Sequence, residues 1–204
     1  MKEFWDLRYS EEEYAYGIEP NEFLKHTLQR FSPKGRILLP AEGEGRNAVY
    51  AAKRGLEVTA FDISMEGKRK AEKLAEVNKV DVHYLLGDVE ELTFEENSFD
   101  VVALIFAHFN SEFRSAYHRK LMSFLKPGGL VIFEAFSKNH LKFNMTNPEA
   151  GGPKDIRMLL NTEEIKQDFS GFHIIELKEV EVNFNEGKYH KGKSSVIRFL
   201  GRKK

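Results

Sequence analysis

The residues with the clearest chemistry to perform are two glycines and the acids beside them. Gly43 and Gly45 stand in Ala41-Glu-Gly-Glu-Gly-Arg46, just before a helix-patterned stretch, and Asp62 closes the next apolar run. A glycine has no Cβ, so its backbone can approach a ligand, and a helix N-terminus turns unpaired N–H groups toward its polar end. A carboxylate at the tip of the adjacent strand can accept both hydroxyls of a ribose. The spacing Gly43-x-Gly45-x-x-Ala48, with Asp62 beyond it, also fits the dinucleotide fingerprint. The chemistry implied is the binding of an adenosine-containing cofactor, without saying which one.

These residues need a strand, a turn, a helix and a second strand to hold them. Arg36–Pro40 is a short apolar run of the kind expected for a parallel strand buried on both faces. Asn47 to Lys53 has helical spacing, Gly55 is the stop, and Leu56 to Phe61 forms the second strand. Ahead of this unit, residues 1–20 are polar yet rich in aromatics: Phe4, Trp5, Tyr9, Tyr14 and Tyr16, with Arg8 among them. Such side chains suit a half-wet surface that covers something. Pro20 is expected to start a helix to about Phe31, with Phe23, Leu24 and Leu28 inward.

After Asp62, Ser64 caps an expected helix to about Asn78, with Ala71, Leu74 and Ala75 inward and Lys68, Arg69, Lys70 and Lys73 on the wet face. Val80–Leu86 reads as a third strand ending in Gly87-Asp88, and Phe99–Phe109 as a central fourth. Ser111 opens an amphipathic helix, and Leu130–Phe136 is a fifth strand. The polar segment 137–160 is long enough to be functional or mobile. Asn161 and Glu164 form a capping box for a helix to about Phe169. Two extended runs, Phe172–Phe184 and Ser194–Leu200, joined by a turn at 185–188, read as an antiparallel hairpin.

Composition narrows the classes. The 204 residues suit one domain, spanning 1–204, with a sizeable core. A net charge of -1 gives no general pull toward nucleic acid or anionic membrane. The absence of cysteine excludes disulfides, thiolate metal sites and a cysteine nucleophile. The amino-terminal residues are too polar for a signal peptide, and Val101–Ala107, the longest strongly apolar run, is far short of a membrane span. A cytoplasmic, soluble protein is expected.

Five strand-plus-helix units followed by a hairpin differ from a nicotinamide-binding domain, which continues with parallel crossovers. The layout resembles the class I S-adenosylmethionine-dependent methyltransferases. The motifs carrying the resemblance are Ala41–Arg46, Phe61-Asp62-Ile63-Ser64, Gly87-Asp88-Val89, Phe99–Phe106 and Leu125-Lys-Pro-Gly-Gly-Leu-Val-Ile132. Trp5–Tyr9, Tyr16–Asn21 and Glu44–Tyr50 resemble a narrower group, the tellurite-resistance and thiopurine-methyltransferase-like enzymes. The resemblance implies a Rossmann-like three-layer α/β sandwich, its seven-stranded, mostly parallel sheet ending in an antiparallel C-terminal hairpin. It implies S-adenosylmethionine as cofactor, contacted by Trp5, Arg8, Ala41, Glu42, Gly43, Gly45, Asp62, Ile63, Asp88, Val89 and Ala107. Residues 1–20 would be a lid and 137–160 a substrate-side loop. One departure is that Leu39 and Ala41 stand where the family's first strand usually ends in an acid and a glycine. Glu42 could then reach the methionine ammonium or support the turn from below.

Methyl transfer from a sulfonium is an in-line displacement, so the protein must align nucleophile, methyl and sulfur and exclude water. The acceptor implied is a small molecule, in the narrower group often a soft sulfur, selenium or tellurium nucleophile. His108, beyond the fourth strand, is the best-placed base, with His140 and His190 weaker; the histidines have no metal-ligand spacing. No nucleic-acid or membrane partner is expected, and the protein should be a monomer or homodimer. Three rival readings stand beside this one. They are a non-catalytic S-adenosylmethionine-binding module, a nicotinamide-dependent reductase, and an RNA methyltransferase supported only by the basic C-terminal segment from Lys188 to Lys204.

Overall fold

The computed structural model describes all 204 residues, Met1–Lys204. Its centre is a seven-stranded sheet in the order β3-β2-β1-β4-β5-β7-β6. The strands are β1 (Arg36–Pro40), β2 (Glu57–Asp62), β3 (His83–Leu86), β4 (Phe99–Ile105), β5 (Leu125–Phe136), β6 (Phe172–Glu186) and β7 (His190–Lys203). The first five run parallel, and β7 enters antiparallel between β5 and β6. Helices α2 (Glu22–Phe31), α3 (Arg46–Lys53) and α4 (Met65–Asn78) cover one face, and α5 (Arg114–Ser123) and α7 (Thr162–Asp168) the other. This is the expected three-layer α/β sandwich.

The apolar patterns explain the layering. In β1, Ile37 and Leu39 face the α2–α4 layer and Leu38 the opposite one, as the two-residue period of a strand dictates. Phe23, Leu24 and Leu28 of α2 pack beneath the first face, as expected. The capping box of α7 forms as read, Asn161 with Glu164.

Several expectations are corrected. Pro20 is not helical; Asn21 caps α2 by accepting from the Leu24 N–H. The polar start of the chain is itself a helix, α1 (Lys2–Tyr9), although Tyr9 alone of it is buried. The fourth strand stops at Ile105, because Phe106 takes φ 54° and turns the chain away. The fifth begins at Leu125, where a register shift absorbs the Pro-Gly-Gly segment. The hairpin strands are longer than the apolar runs, paired down to Glu186 and His190. Segment 137–160 is not a bare loop: it carries α6 (Leu141–Thr146) and three short 3-10 turns.

Lys70 is the plainest reversal. Helical spacing puts it on the wet face of α4, yet it is 4% exposed. Its ammonium meets Glu44 at 2.7 Å, donates to the Glu13 carbonyl at 2.6 Å and lies 5.0 Å from the centre of the Tyr14 ring. Glu44 in turn accepts from the Ala15 N–H at 2.7 Å. Long-range partners moved this cation inward, and helical periodicity contains no trace of them. Removing one member of a buried pair strands the other. Lys70→Met should therefore lower unfolding free energy by about 3–5 kcal/mol in denaturant titration, with Lys70→Met/Glu44→Gln recovering most of it. A single variant as stable as wild type would show that the pair does not hold the N-terminal segment.

Candidate active site

Parallel sheets bind ligands outside the carboxyl ends of their strands, where the strand order switches direction. Here β1 and β4 are neighbours at that switch, and a cavity of about 580 Å³ opens above them. Its lining comes from the ends of β1 (Ala41, Glu42), β2 (Asp62, Ile63) and β3 (Asp88, Val89), and from Phe106 and His108 after β4. Trp5 and Tyr9 of α1, Tyr16, and His190 at the start of β7 complete it.

Two buried carboxylates organise the strand ends. Asp62 accepts from the Gly43 N–H on one oxygen and the Ser64 N–H on the other, each at 2.9 Å. It thereby ties the glycine turn to the end of β2. Burial outweighs these bonds and pushes its pKa up to about 6. Glu42 accepts from the N–H groups of Asn47 and Ala48 at 2.8 and 2.7 Å, and from the Asn47 amide at 3.3 Å. Of the two roles left open for Glu42, the structure realises support of the turn, with its carboxylate seated on the N-terminus of α3. Burial raises its pKa to about 7 against those bonds.

The glycines serve a different purpose from the one their motif suggests. Neither Gly43 nor Gly45 lines the cavity. Gly43 has φ 62°, and a Cβ there would meet the Tyr9 hydroxyl at 2.6 Å. Gly45 has φ 86°, and a Cβ would meet the Cβ of Ala71 in α4 at 2.6 Å. The first glycine admits Tyr9 over the turn, and the second lets α3 approach α4. Close approach is needed here, but to the protein itself.

Among the other expected contacts, Trp5 lines the cavity and stacks on Tyr9 at 5.4 Å. Asp88 lines it while one carboxylate oxygen accepts from the Glu90 and Glu91 N–H groups. Arg8 and Ala107 do not. The Arg8 guanidinium lies 3.7 Å from the centre of the Tyr189 ring and donates to the Tyr16 hydroxyl, whereas Ala107 packs into the core beside α5. His108 is on the wall as expected, its ring stacked on Phe136 at 5.9 Å. Burial, with His190 and His140 nearby, pulls its pKa down to about 3, and no carboxylate stands by to stabilise an imidazolium. That is a weak position for a base.

Arg46 and Asn47 line the cavity without having been singled out, as do Tyr9 and Tyr16, expected only as part of an aromatic cover, and His190, expected only as a weaker base than His108. The aromatic content of residues 1–20 pointed toward the two tyrosines. Arg46 and Asn47 fall inside the glycine motif itself. The residue type alone marks His190 as a candidate base, and its place on the cavity has no local signal, because only the length of the paired hairpin brings it back over the strand ends.

Residues 37–129 match the family described as "Methyltransferase domain". A demethylmenaquinone methyltransferase of Renibacterium salmoninarum is 32% identical over 109 residues, 52% of this chain and 43% of that protein. RNA uracil methyltransferases of Pyrococcus species also match in part. The match spans less than half the length of these first relatives. Among solved structures, one determined for the conversion of a disulfide bond into a thioacetal group during echinomycin biosynthesis has a TM-score of 0.82 at 19% identity, covering 100% of this chain and 91% of that one. TehB of Haemophilus influenzae has a TM-score of 0.71 at 17% identity, covering 100% and 67%. These likenesses establish the fold.

The raised pKa of Glu42 has a measurable consequence. A carboxyl whose folded pKa exceeds its unfolded one stabilises the fold fully below the unfolded value, here 4.5, and loses that contribution as pH rises through the folded value of about 7. The buried histidines His108, His140 and His190, with lowered pKa, act in the opposite direction, so the comparison must isolate Glu42. The melting temperature of wild type minus that of Glu42→Gln should fall steadily between pH 5 and pH 8. A difference that stays flat would mean that Glu42 does not titrate in this range.

Proposed function

We propose that the chain is a class I S-adenosylmethionine-dependent methyltransferase that moves a methyl group from S-adenosylmethionine to a small-molecule acceptor, a reading supported by the match of residues 37–129 to a methyltransferase domain. The observation that carries this reading is the Glu42 carboxylate on the N-terminus of α3. In a dinucleotide site that helix end receives the pyrophosphate. Here its N–H groups are taken and a carboxyl occupies the position, which favours a cationic ligand over a diphosphate. S-adenosylmethionine brings a sulfonium and an ammonium. The side-chain acids of the lining, Glu42, Asp62, Asp88 and Glu91, outnumber the cations Lys2 and Arg46. A nicotinamide dinucleotide finds no such welcome, and neither does an RNA backbone.

The remaining hydrogen-bonding capacity supports the site residues. An ionised carboxylate has about four acceptor positions. Asp62 uses one on each oxygen for backbone N–H groups, leaving room for a ribose diol. Asp88 keeps one oxygen for the adenine amino group. Ile63 and Val89 supply apolar walls for the base, Trp5 covers the adenosine, and Ala41 and Glu42 border the methionine end. Bound there, the sulfonium supplies an activated methyl and a good leaving group. The protein's part is alignment and exclusion of water. Residues 1–20 act as the lid, since of residues 1–19 only Tyr9 and Ala15 are buried. No residue of segment 137–160 lines the cavity itself; its His140 lies behind the wall, with its ring centre 4.2 Å from that of Phe136, on which the lining His108 stacks. We take 1–204 as one such domain. A soft sulfur, selenium or tellurium nucleophile suits an aromatic acceptor wall made by Tyr16, Phe106 and Phe109.

S-adenosylhomocysteine at a hundredfold excess over its dissociation constant should stabilise the protein by about 2.7 kcal/mol in thermal unfolding, with NADPH giving no shift. Stabilisation by NADPH alone would sink the proposal. In calorimetric binding, Asp62→Ala should lose about 1.5–3 kcal/mol, the scale of hydrogen bonds to a charged group, and Asp88→Ala less, since an adenine amino group offers only one bond. Unchanged affinity in both would place the adenosine elsewhere.

A further inference from the structure

We infer that His190 is the general base for acceptors that arrive protonated, with Glu186 and Arg46 as the residues that position it; this rests on the methyltransferase reading above. The hairpin turn brings His190 to the cavity from the far end of the sheet, and it is 3% exposed. Its Nδ1 lies 3.2 Å from a Glu186 carboxylate oxygen. That same oxygen accepts from Arg46 at 2.9 Å, and Arg46 also donates to the carbonyls of Tyr16 and Glu19. Arg46 keeps Glu186 ionised, its pKa lowered to about 2 despite burial. An ionised carboxylate at Nδ1 can only be met by an N–H. The tautomer is thereby set, and Nε2 carries the lone pair.

Nε2 makes no hydrogen bond to the protein, and it is not among the sealed, unpartnered polar atoms. It therefore opens to the cavity, between Tyr16 at 4.4 Å and Phe106 at 5.0 Å, ring centre to ring centre. The imidazole is neutral at neutral pH, because burial lowers its pKa against the pull of Glu186, with Arg46 and His140 adding to the lowering. His108, on the same wall, has one nitrogen lone pair of its own but no carboxylate behind it. Of the two, only His190 has a partner for the charge it would acquire.

The step balances without a further reactant. The acceptor's O–H, S–H or N–H atom forms a bond to the methyl carbon as the methyl–sulfur bond breaks and its electron pair returns to sulfur. The acceptor proton grows acidic as that bond forms, so a base of modest strength suffices, and it passes to Nε2. The resulting imidazolium is held against Glu186 and then loses the proton to water. An acceptor that arrives as an anion needs none of this, so dependence on His190 separates the two acceptor types.

The test combines an acceptor-independent readout with an activity one. In nitrogen-15 imidazole spectra of the full chain, His190 should show the Nδ1–H tautomer, with a free, pyridine-like Nε2, and Glu186→Gln should release that preference. An Nε2–H tautomer in wild type would overturn the proposal, since that nitrogen could not accept a proton. With catechol and selenite as probe acceptors, His190→Gln should slow methylation of catechol at least a hundredfold at pH 7 and leave that of selenite, which arrives as an anion, within about twofold. It should leave the dissociation constant for S-adenosylhomocysteine within about twofold by calorimetry. Glu186→Gln should shift the pH–rate profile as well as lower the rate, which a merely structural role would not do. Wild-type rates with catechol in His190→Gln, or a comparable loss confined to His108→Gln, would also overturn it. Failure of wild type to bind S-adenosylhomocysteine would instead strike the methyltransferase reading, so the two failures are distinct.

Discussion

The site depends on carboxylates buried at the ends of parallel strands and held there by backbone N–H groups. Such a group is costly to bury unless it is hydrogen-bonded. Asp62 and Glu42 meet that condition with the glycine turn, the Ser64 N–H and the first turn of α3. The same bonds fix the geometry of β1, β2 and α3 relative to one another. Acidic groups are thus placed at a helix N-terminus, where the helix dipole favours the ionised form against burial, and at the floor of the cavity. One arrangement serves both the fold and the choice of ligand charge.

A second set of polar contacts closes the other end. Tyr16 and Glu19 hold Arg46 by their carbonyls, Arg46 holds Glu186, and the Lys188 N–H donates to the Ala15 carbonyl. The glycine motif, the N-terminal segment and the hairpin tip therefore meet around one guanidinium that is 9% exposed. A further buried chain runs from Arg198 through Glu134 and Asn21 to Asn47, which also donates to Glu42. Strand β7 and the start of α3 are connected by these bonds across the sheet. Substitutions along this path should be felt together rather than separately, since members of one network are not energetically independent.

The few apolar anchors of α1 make a contrast with that rigidity. Phe4 and Leu7 are mostly exposed, and Tyr9 alone reaches the glycine turn. The Ser64 hydroxyl donates to Asp6 at 2.6 Å and the Trp5–Tyr9 stack adds an aromatic face, but no core lies beneath. A segment held this way opens more readily than the sheet under it. The cover can then move while the floor stays fixed.

The sequence alone determined the order of the parallel strands' units, the layers, the glycine turn and the acids at the ends of β2 and β3. Those features rest on local periods: two residues in a strand, 3.6 in a helix, and turn chemistry between them. Element ends were less legible, since the extent of β6 and β7 is set by pairing between strands rather than by apolar runs. Only the tertiary structure decided what each polar residue is for. Lys70 went inward to Glu44, Arg8 outward to Tyr189, and Gly43 and Gly45 made room for Tyr9 and α4 instead of a ligand. His190 reached the cavity from a hairpin that reads as solvated. A polar side chain takes its role from the partner it meets, and these partners lie far away in the chain.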